Sequence, residues 1–127
     1  MPQFRLQLLE IEGVIDIFML SEDNNCYFED FCIKITEESN FSNEIPRAYR
    51  YLEDHANLKS LNHTQFKDIT PKKESVKEYE IKTKNLRIYL IKYPKNGKCI
   101  IIGGKKNSQK KDISHFRSIK KRFLESL

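Results

Sequence analysis

The stretch "EYEIKTKNLRIYLIKYPKNGKCIIIGG", residues 78–104, decides the fold of this protein. Lys84-Asn85 and a later Pro-x-Asn-Gly sequence are typical of tight turns, and they divide the stretch into three parts. Each part has the length and the apolar, β-branched character of a strand. The stretch therefore predicts an antiparallel meander with strands at residues 78–83, 86–92 and 99–104.

A helix is predicted after the third strand. Asp112 is a suitable N-cap, and the residues after it repeat at helical spacing. The stripe that we expect to face the sheet consists of Ile113, Phe116, Ile119, Lys120 and Phe123.

The N-terminal half has weaker patterns. Residues 4–8 alternate as a half-buried strand does, and residues 14–20 fit either a second strand or the approach to a helix. Residues 21–38 favour a helix, although residues 31–36 also alternate like a strand. A second helix is clearer, because Ser42 or Asn43 can cap it and its apolar stripe continues to Ala56.

This order of elements predicts an α+β fold in a single domain, residues 1–127. We expect an antiparallel sheet with the N-terminal helices and the C-terminal helix packed on one face. If Ile81 points toward the helices, then Lys82, Arg87 and Tyr89 share the other, open face, because strand side chains alternate.

The positive charge is concentrated in one part of the chain. The net charge is +5, and residues 82–122 hold 14 of the 23 Lys and Arg residues with a single acid, Asp112. Such a run indicates a polyanionic partner, either nucleic acid or an acidic protein. The alternative is a lysine-rich surface that is only solvated.

Several classes of protein are disfavoured by the sequence. No apolar run approaches the roughly 20 residues that span a bilayer, and the N-terminus lacks the pattern of a signal peptide. Three cysteines without CxxC spacing are expected to be small core residues in a reducing compartment. We therefore expect a cytoplasmic protein with no membrane partner, no metal site and no cofactor.

Residues 78–124 resemble the C-terminal half of RelE/HigB-type toxins of bacterial type II toxin–antitoxin modules, within the RelE/ParE superfamily. Glu80-Ile81-Lys82 lies where the family has Glu-Leu-Arg, and "LRIY" (86–89) corresponds to its Tyr-Arg-Ile-x-Tyr pattern. The lysine-rich segment 105–111 corresponds to the family's basic loop, and Asp112-Ile113 to the start of its last helix.

The resemblance implies a RelE-like fold and a metal-independent endoribonuclease, an mRNA interferase that inhibits translation. Such toxins enter the ribosomal A site, where the 2′-hydroxyl of the mRNA attacks the neighbouring phosphate. The products are a cyclic phosphate and a free 5′-hydroxyl. The reaction needs a proton acceptor, cations for the charge that builds on the phosphate, and a proton donor for the leaving oxygen.

On this basis Arg87 is expected to clamp the scissile phosphate, since a guanidinium can bind two phosphate oxygens. Lys82 is expected to act as a phosphate ligand or a base, and Lys106 to stabilise the transition state. Tyr89 is a candidate for stacking on a base or for proton transfer. His115 is a candidate acid or base, because histidine exchanges protons near neutral pH. The remaining expected RNA contacts are Lys84, Lys105, Lys110 and Lys111.

The implied partners are mRNA, the ribosome and a cognate antitoxin, which we expect to be a helix-turn-helix protein encoded by an adjacent gene. Two alternatives remain open at this point. One is a ParE-like toxin that inhibits DNA gyrase, and the other is a non-catalytic RNA-binding or regulatory protein on the same scaffold.

Overall fold

The structure, a computed structural model, describes residues 2–127. Its elements in chain order are β1 (Phe4–Leu8), β2 (Ile17–Glu22), β3 (Asn25–Cys26), α1 (Tyr27–Glu38), α2 (Glu44–Ala56), β4 (Phe66–Asp68), β5 (Glu78–Lys82), β6 (Leu86–Ile91), β7 (Lys98–Lys105) and α3 (Gln109–Glu125). A single 3₁₀ turn, Lys106–Ser108, joins β7 to α3.

The predicted meander is confirmed. Strands β5, β6 and β7 are antiparallel neighbours, with Lys82 opposite Arg87 and Arg87 opposite Gly104. The full order across the sheet is β1-β2-β7-β6-β5-β4, and β3 pairs with β2. Strand β2 runs parallel to β7, where Ile17 to Met19 face Lys98 to Ile100, so the sheet is mixed although most of its pairings are antiparallel.

The chain between β2 and α1 differs from the prediction of a helix over residues 21–38. Asp23 and Asn24 have φ values of 51° and 68°, and they form a two-residue turn between β2 and β3. Asn and Asp tolerate this left-handed backbone, and a turn of this kind suits the twist of a hairpin. The helix therefore begins at Tyr27, and the second-strand interpretation of residues 14–20 is confirmed by β2.

Helix α3 also begins earlier than predicted. It starts at Gln109, so Asp112 lies in its first turn and is not its N-cap. The Ser108 hydroxyl donates to the Asp112 carboxylate at 2.6 Å. The 3₁₀ turn directly after β7 leads the chain into the helix without a separate loop, which is why the helix starts three residues before the expected cap.

The prediction that all helices share one face of the sheet is wrong. Helices α1 and α2 cover the face that carries Ile81, Ile88 and Leu90, whereas α3 covers the face that carries Tyr89 and Ile101. The physical reason lies in β6, all six residues of which are buried. A strand with few polar residues on either side is buried on both faces, so no face remains open.

An irregularity in β7 explains the sequence Ile-Ile-Ile-Gly-Gly. The register of β7 shifts between Tyr89 and Leu90 of β6, so that Ile101 and Ile102 both join the core under α3. Beyond this bulge, a Cβ at Gly103 would collide with the Phe31 ring of α1. A Cβ at Gly104 would collide with the Asp112 carboxylate on the opposite face. The two glycines thus allow helices on both faces to approach the end of β7.

Within residues 2–127, none of the helices combines the length and the apolar character needed to cross a bilayer.

Candidate nucleic-acid interface

Two turns meet at one end of the sheet. The backbone N–H of Lys106 donates to the carbonyl of Asn85 at 2.8 Å, so the connection from β7 to α3 lies beside the β5–β6 turn. This contact brings together cations that are about 20 residues apart in sequence. We call this group the basic end, and it consists of Lys82, Lys84, Arg87, Lys105, Lys106, Lys110 and Lys111.

A buried carboxylate holds the β5–β6 turn in place. Glu44, the first residue of α2, accepts hydrogen bonds from the Thr83 hydroxyl, from the Asn85 backbone at 2.8 Å and from the Asn85 side chain at 2.7 Å. Burial acts to raise the pKa of Glu44, but these donors outweigh it and the pKa lies below its ordinary value. Sequence reasoning missed Glu44, because the contact spans about 40 residues and no local pattern marks it.

Arg87 is more buried than the sequence predicted, since we expected it on an open face of the sheet. The residue is 8% exposed, and its Nη1 donates to the carbonyls of Thr83 at 2.7 Å and Leu86 at 2.8 Å. Its Nε is buried and has no hydrogen-bond partner within residues 2–127. A buried donor without a partner is costly, and this Nε has almost no surface through which a ligand could reach it.

Tyr89 lies on the same face as Arg87, but the covering by α3 changes its role. Its side chain is fully buried and stacks on Phe116, with ring centroids 5.6 Å apart. Its hydroxyl forms no well-oriented hydrogen bond within the described range. Burial, together with the nearby charge of Glu80, raises the pKa of this hydroxyl. The expectation that Tyr89 stacks on an RNA base therefore conflicts with the structure, which gives it no exposed ring.

The buried Glu80 was not singled out from the sequence as a site residue. It lies opposite Tyr89 on β5 and accepts a hydrogen bond from the Gln109 side chain at 2.5 Å. The first residue of α3 is thereby attached to the sheet next to Arg87 and Lys82. In the sequence, Glu80 could have been noticed as an acid two residues before Lys82, and therefore on the same face of the strand.

The lysines of the basic end are more accessible. Four of them are exposed on the surface, namely Lys84, Lys106, Lys110 and Lys111. Lys82 is half-buried on the Arg87 side of the sheet, since the two residues are direct cross-strand partners. Lys105 points to the other side, where its ammonium lies 5.9 Å from the centroid of the Phe41 ring. The basic end thus extends around the sheet from one face to the other.

His115 does not join Arg87. It lies on the other flank of α3 and packs edge-on against Tyr27 of α1, with ring centroids 5.6 Å apart. Together these two helices and the end of β7 enclose a cleft of about 420 Å³, to which Lys105 also contributes. The cleft exists because β2 pairs with β7 only as far as Ile100, which leaves the rest of that β7 edge without a neighbouring strand in the described part of the chain.

The same cleft contains further polar groups that sequence reasoning did not single out as site residues. Asp30 and Lys34 lie one turn apart on α1, and Ser108 and Asp112 lie at the start of α3. The spacing of Asp30 and Lys34 was visible in the sequence, but the short free edge that places them opposite α3 was not.

Ion pairing separates three cations of the basic segment 82–122 from the other eleven. Arg117 and Lys120 pair with Glu78, and Arg122 pairs with Glu22 through two hydrogen bonds of 2.8 and 2.9 Å. By contrast, none of the seven cations of the basic end forms a salt bridge with another group in residues 2–127. The cations of the basic end are therefore not held in ion pairs within the described residues.

Among the described residues, no three His, Cys, Asp or Glu side chains are arranged so that they could hold a metal ion. The three cysteines are free, and Cys99 is buried in the core.

Comparisons with known proteins gave no relative: no protein-family model, no curated protein and no solved structure matches this chain.

Proposed function

We propose that this protein is the toxin of a type II toxin–antitoxin module, a ribosome-dependent mRNA endoribonuclease of the RelE/HigB type. The observation that carries the proposal is the basic end: seven cations without salt-bridge partners within residues 2–127 lie around the adjoining ends of β5, β6 and β7. These are the positions at which the sequence resembles that family. A nucleic-acid backbone supplies the negative charge that the described residues do not provide.

The chemical step assigned to this surface uses the RNA's own nucleophile. The 2′-oxygen attacks the adjacent phosphorus, and the bond to the 5′-oxygen of the next nucleotide breaks. The leaving 5′-oxygen takes a proton from water to become a hydroxyl, and a 2′,3′-cyclic phosphate forms. Arg87 and Lys82 are cross-strand neighbours, so they contact the scissile phosphate together. Lys82 is the candidate acceptor of the 2′-hydroxyl proton, and Lys106 stabilises the charge on the phosphate.

This assignment leaves out two residues that the sequence suggested. Tyr89 is enclosed between the sheet and α3, and His115 faces the cleft on the other flank of that helix. Lys84, Lys105, Lys110 and Lys111 bind the surrounding mRNA or ribosomal RNA through their charge.

A second candidate is a non-catalytic RNA-binding protein on the same scaffold. The burial of Arg87 favours it, because two of the guanidinium's contacts are already made to backbone carbonyls. A guanidinium held in this way stabilises the β5–β6 turn, whereas the exposed lysines alone account for binding to RNA.

The two candidates are separated by primer extension on cellular mRNA after the protein is induced. The endoribonuclease proposal expects cuts at discrete positions within codons, lost in Lys82→Ala and in Arg87→Ala and retained in Lys72→Ala, an exposed lysine outside the basic end. Circular dichroism checks that each variant is folded. Growth arrest without mRNA cuts, together with a DNA-damage response, favours ParE-like inhibition of gyrase.

The proposal extends to the partners. An antitoxin with a helix-turn-helix domain and an acidic segment neutralises the toxin by covering the basic end, and the adjacent gene is where it is expected. Co-expression of that gene restores growth under the proposal. The same proposal places the protein in the cytoplasm, where the ribosomes are.

A further inference from the structure

Another cleft lies at the opposite end of the sheet from the basic end. It encloses about 680 Å³ beside the first residues of β7 and the β6–β7 turn, within the size range of small-molecule sites. Its apolar lining is formed by Val14, Ile15, Phe18, Leu58 and Pro94, and its cations are Lys92, Lys95 and Lys98. We call it the Lys98 cleft.

Lys98 is a buried cation without a counterion. The residue is 7% exposed, and its ammonium forms no hydrogen bond or ion pair with any group in residues 2–127. The Tyr79 ring compensates in part, since its centroid lies 5.3 Å from the ammonium nitrogen. Burial first, and then the charge of Lys92, lowers the pKa of Lys98. A cation–π contact offsets only part of the cost of burying a charge.

His55 supplies a second polar atom without a partner. Its Nε2 is buried and makes no hydrogen bond within the described residues, while its ring stacks on Phe66 with centroids 4.4 Å apart. Burial and the charge of Lys98 lower the pKa of His55 to about 4, so the ring is neutral near pH 7. His55 lines the Lys98 cleft, and a neutral imidazole can carry its proton on Nε2 and act there as a donor.

The rim of the Lys98 cleft is apolar. Val14 is 72% exposed and Leu58 is 67% exposed, which is unusual for two large side chains beside the same cleft. Asp16 also lines the cleft, but it is exposed and forms no salt bridge with Lys98 in the part of the chain that the structure describes. A ligand that satisfies the site needs one negative group for Lys98 and His55 and an apolar part for Val14 and Leu58.

We propose that the Lys98 cleft binds a carboxylate carried on an apolar body, with the carboxylate between Lys98 and His55 and the apolar part against Val14 and Leu58. A fatty acid and the C-terminal residue of an apolar peptide share this chemistry. The proposal rests on this cleft alone and is independent of the function proposed for the basic end.

The test is an NMR titration of the ¹⁵N-labelled full chain with sodium octanoate and, separately, with octanol. We expect octanoate to shift the amide signals of Val14, Leu58 and Lys98, and to bind at least tenfold more tightly than octanol. Lys98→Met, which keeps the length of the side chain, should weaken octanoate binding at least tenfold. Lys72→Met, at an exposed lysine outside the cleft, should leave it unchanged.

His55→Phe is the second variant, because it keeps the stacking on Phe66 and removes Nε2. We expect weaker octanoate binding in this variant too.

Equal affinity for octanoate and octanol, or unchanged octanoate binding in Lys98→Met, would overturn the proposal. If inorganic phosphate binds tightly and shifts the same amide signals, the claim that the ligand needs an apolar body would be contradicted. Acetyl-Ala-Ala-Leu with a free carboxylate identifies a peptide as the source if it binds more tightly than octanoate, and its amidated form should not bind.

Discussion

Three cations of the basic segment, Arg117, Lys120 and Arg122, stabilise the fold instead of facing a ligand. Lys120 is 3% exposed, and its ammonium binds Glu78 at 2.8 Å, Glu74 at 3.0 Å and the carbonyl of Val76 at 2.8 Å. Arg117 adds a second contact to Glu78 at 2.9 Å. These bonds attach α3 to β5 and to the loop before it. A count of charges in the sequence could not distinguish them from the free lysines, because both groups lie in one continuous run.

The first prediction concerns Lys120. Lys120→Met leaves the buried Glu78 with Arg117 as its remaining ionic partner, and breaking one side of a buried ion pair is strongly destabilising. We expect the free energy of unfolding, measured by urea denaturation, to fall by about 3 kcal/mol. Lys121→Met, at the exposed neighbouring position, is the matched control and should change it by less than about 0.5 kcal/mol. Equal effects of the two substitutions would contradict the role of Lys120.

The second prediction concerns the close approach of α1 to β7. Gly103→Ala places a methyl group into the Phe31 ring, and overpacking of this kind costs about 1–3 kcal/mol. In a Phe31→Ala background the space is already free, so the same substitution should cost much less. The measurement is a double-mutant cycle by thermal unfolding, and additive effects would show that Phe31 does not limit this position.

At the scale of elements, the β5–β6 hairpin shows how a distant helix holds a turn of the basic end in place. The sequence predicted both strands and the turn, since Lys84-Asn85 separates two apolar segments. It did not predict that the N-terminus of α2 holds that turn through Glu44. The positions of Lys82 and Lys84 therefore depend on a contact between two parts of the chain that are about 40 residues apart.

The third prediction is a pH dependence that originates from Glu44. Because its pKa in the folded state lies below the unfolded value of about 4.5, its contribution to stability is full above that value and is lost as the pH falls through the folded-state pKa. Glu44→Gln should lower the free energy of unfolding by about 1–3 kcal/mol at pH 7 and should flatten the loss of stability below about pH 4.5.

The control for this experiment is Glu53→Gln, an exposed position on the same helix. With this substitution, the free energy of unfolding at pH 7 and its decrease at acidic pH should both stay close to the values of the unchanged protein. The profiles are measured by urea unfolding at a series of pH values. A Glu44→Gln profile parallel to that of the unchanged protein would show that Glu44 does not titrate with folding.

The start of α1 shows where local reasoning was insufficient. Acidic and Asn residues near position 23 suit a helix N-terminus as well as a hairpin turn, and the sequence alone did not separate these alternatives. The pairing of β2 with β1 on one side and with β7 on the other decides between them. Residues 17–22 are held in the sheet, so the chain must reverse at Asp23-Asn24 before a helix can begin.

At the scale of the whole molecule, the fold separates the two surfaces that we propose bind anions. The basic end is largely exposed and suits an extended polyanion, whereas the Lys98 cleft is mostly apolar and suits a small ligand. Strand β7 connects them, with Lys98 at its first position and Lys105 at its last. The two surfaces can therefore be tested by separate substitutions.

The fourth prediction is the salt dependence of RNA binding. If Lys106 contacts a phosphate of single-stranded RNA, Lys106→Ala should weaken binding and reduce the slope of log K against log salt concentration by about 0.7. Lys111→Ala should act in the same way, while Lys72→Ala should leave both quantities unchanged. Fluorescence anisotropy with an unstructured RNA at several salt concentrations measures them. An unchanged slope in both basic-end variants would contradict RNA binding at this surface.

The sequence by itself determined the meander, the C-terminal helix and the concentration of charge in residues 82–122, because turn residues, strand alternation and helical periodicity are local properties. Only the tertiary structure decided which charges remain free. Glu78 and Glu22 neutralise Arg117, Lys120 and Arg122 across long sequence separations, whereas the basic end has no such partner within residues 2–127. Only the tertiary structure decided, too, that helices cover both faces of the sheet. This covering encloses Tyr89 but leaves the lysines around Arg87 accessible. The physical reason is that an apolar strand such as β6 is most stable when helices exclude water from both of its sides.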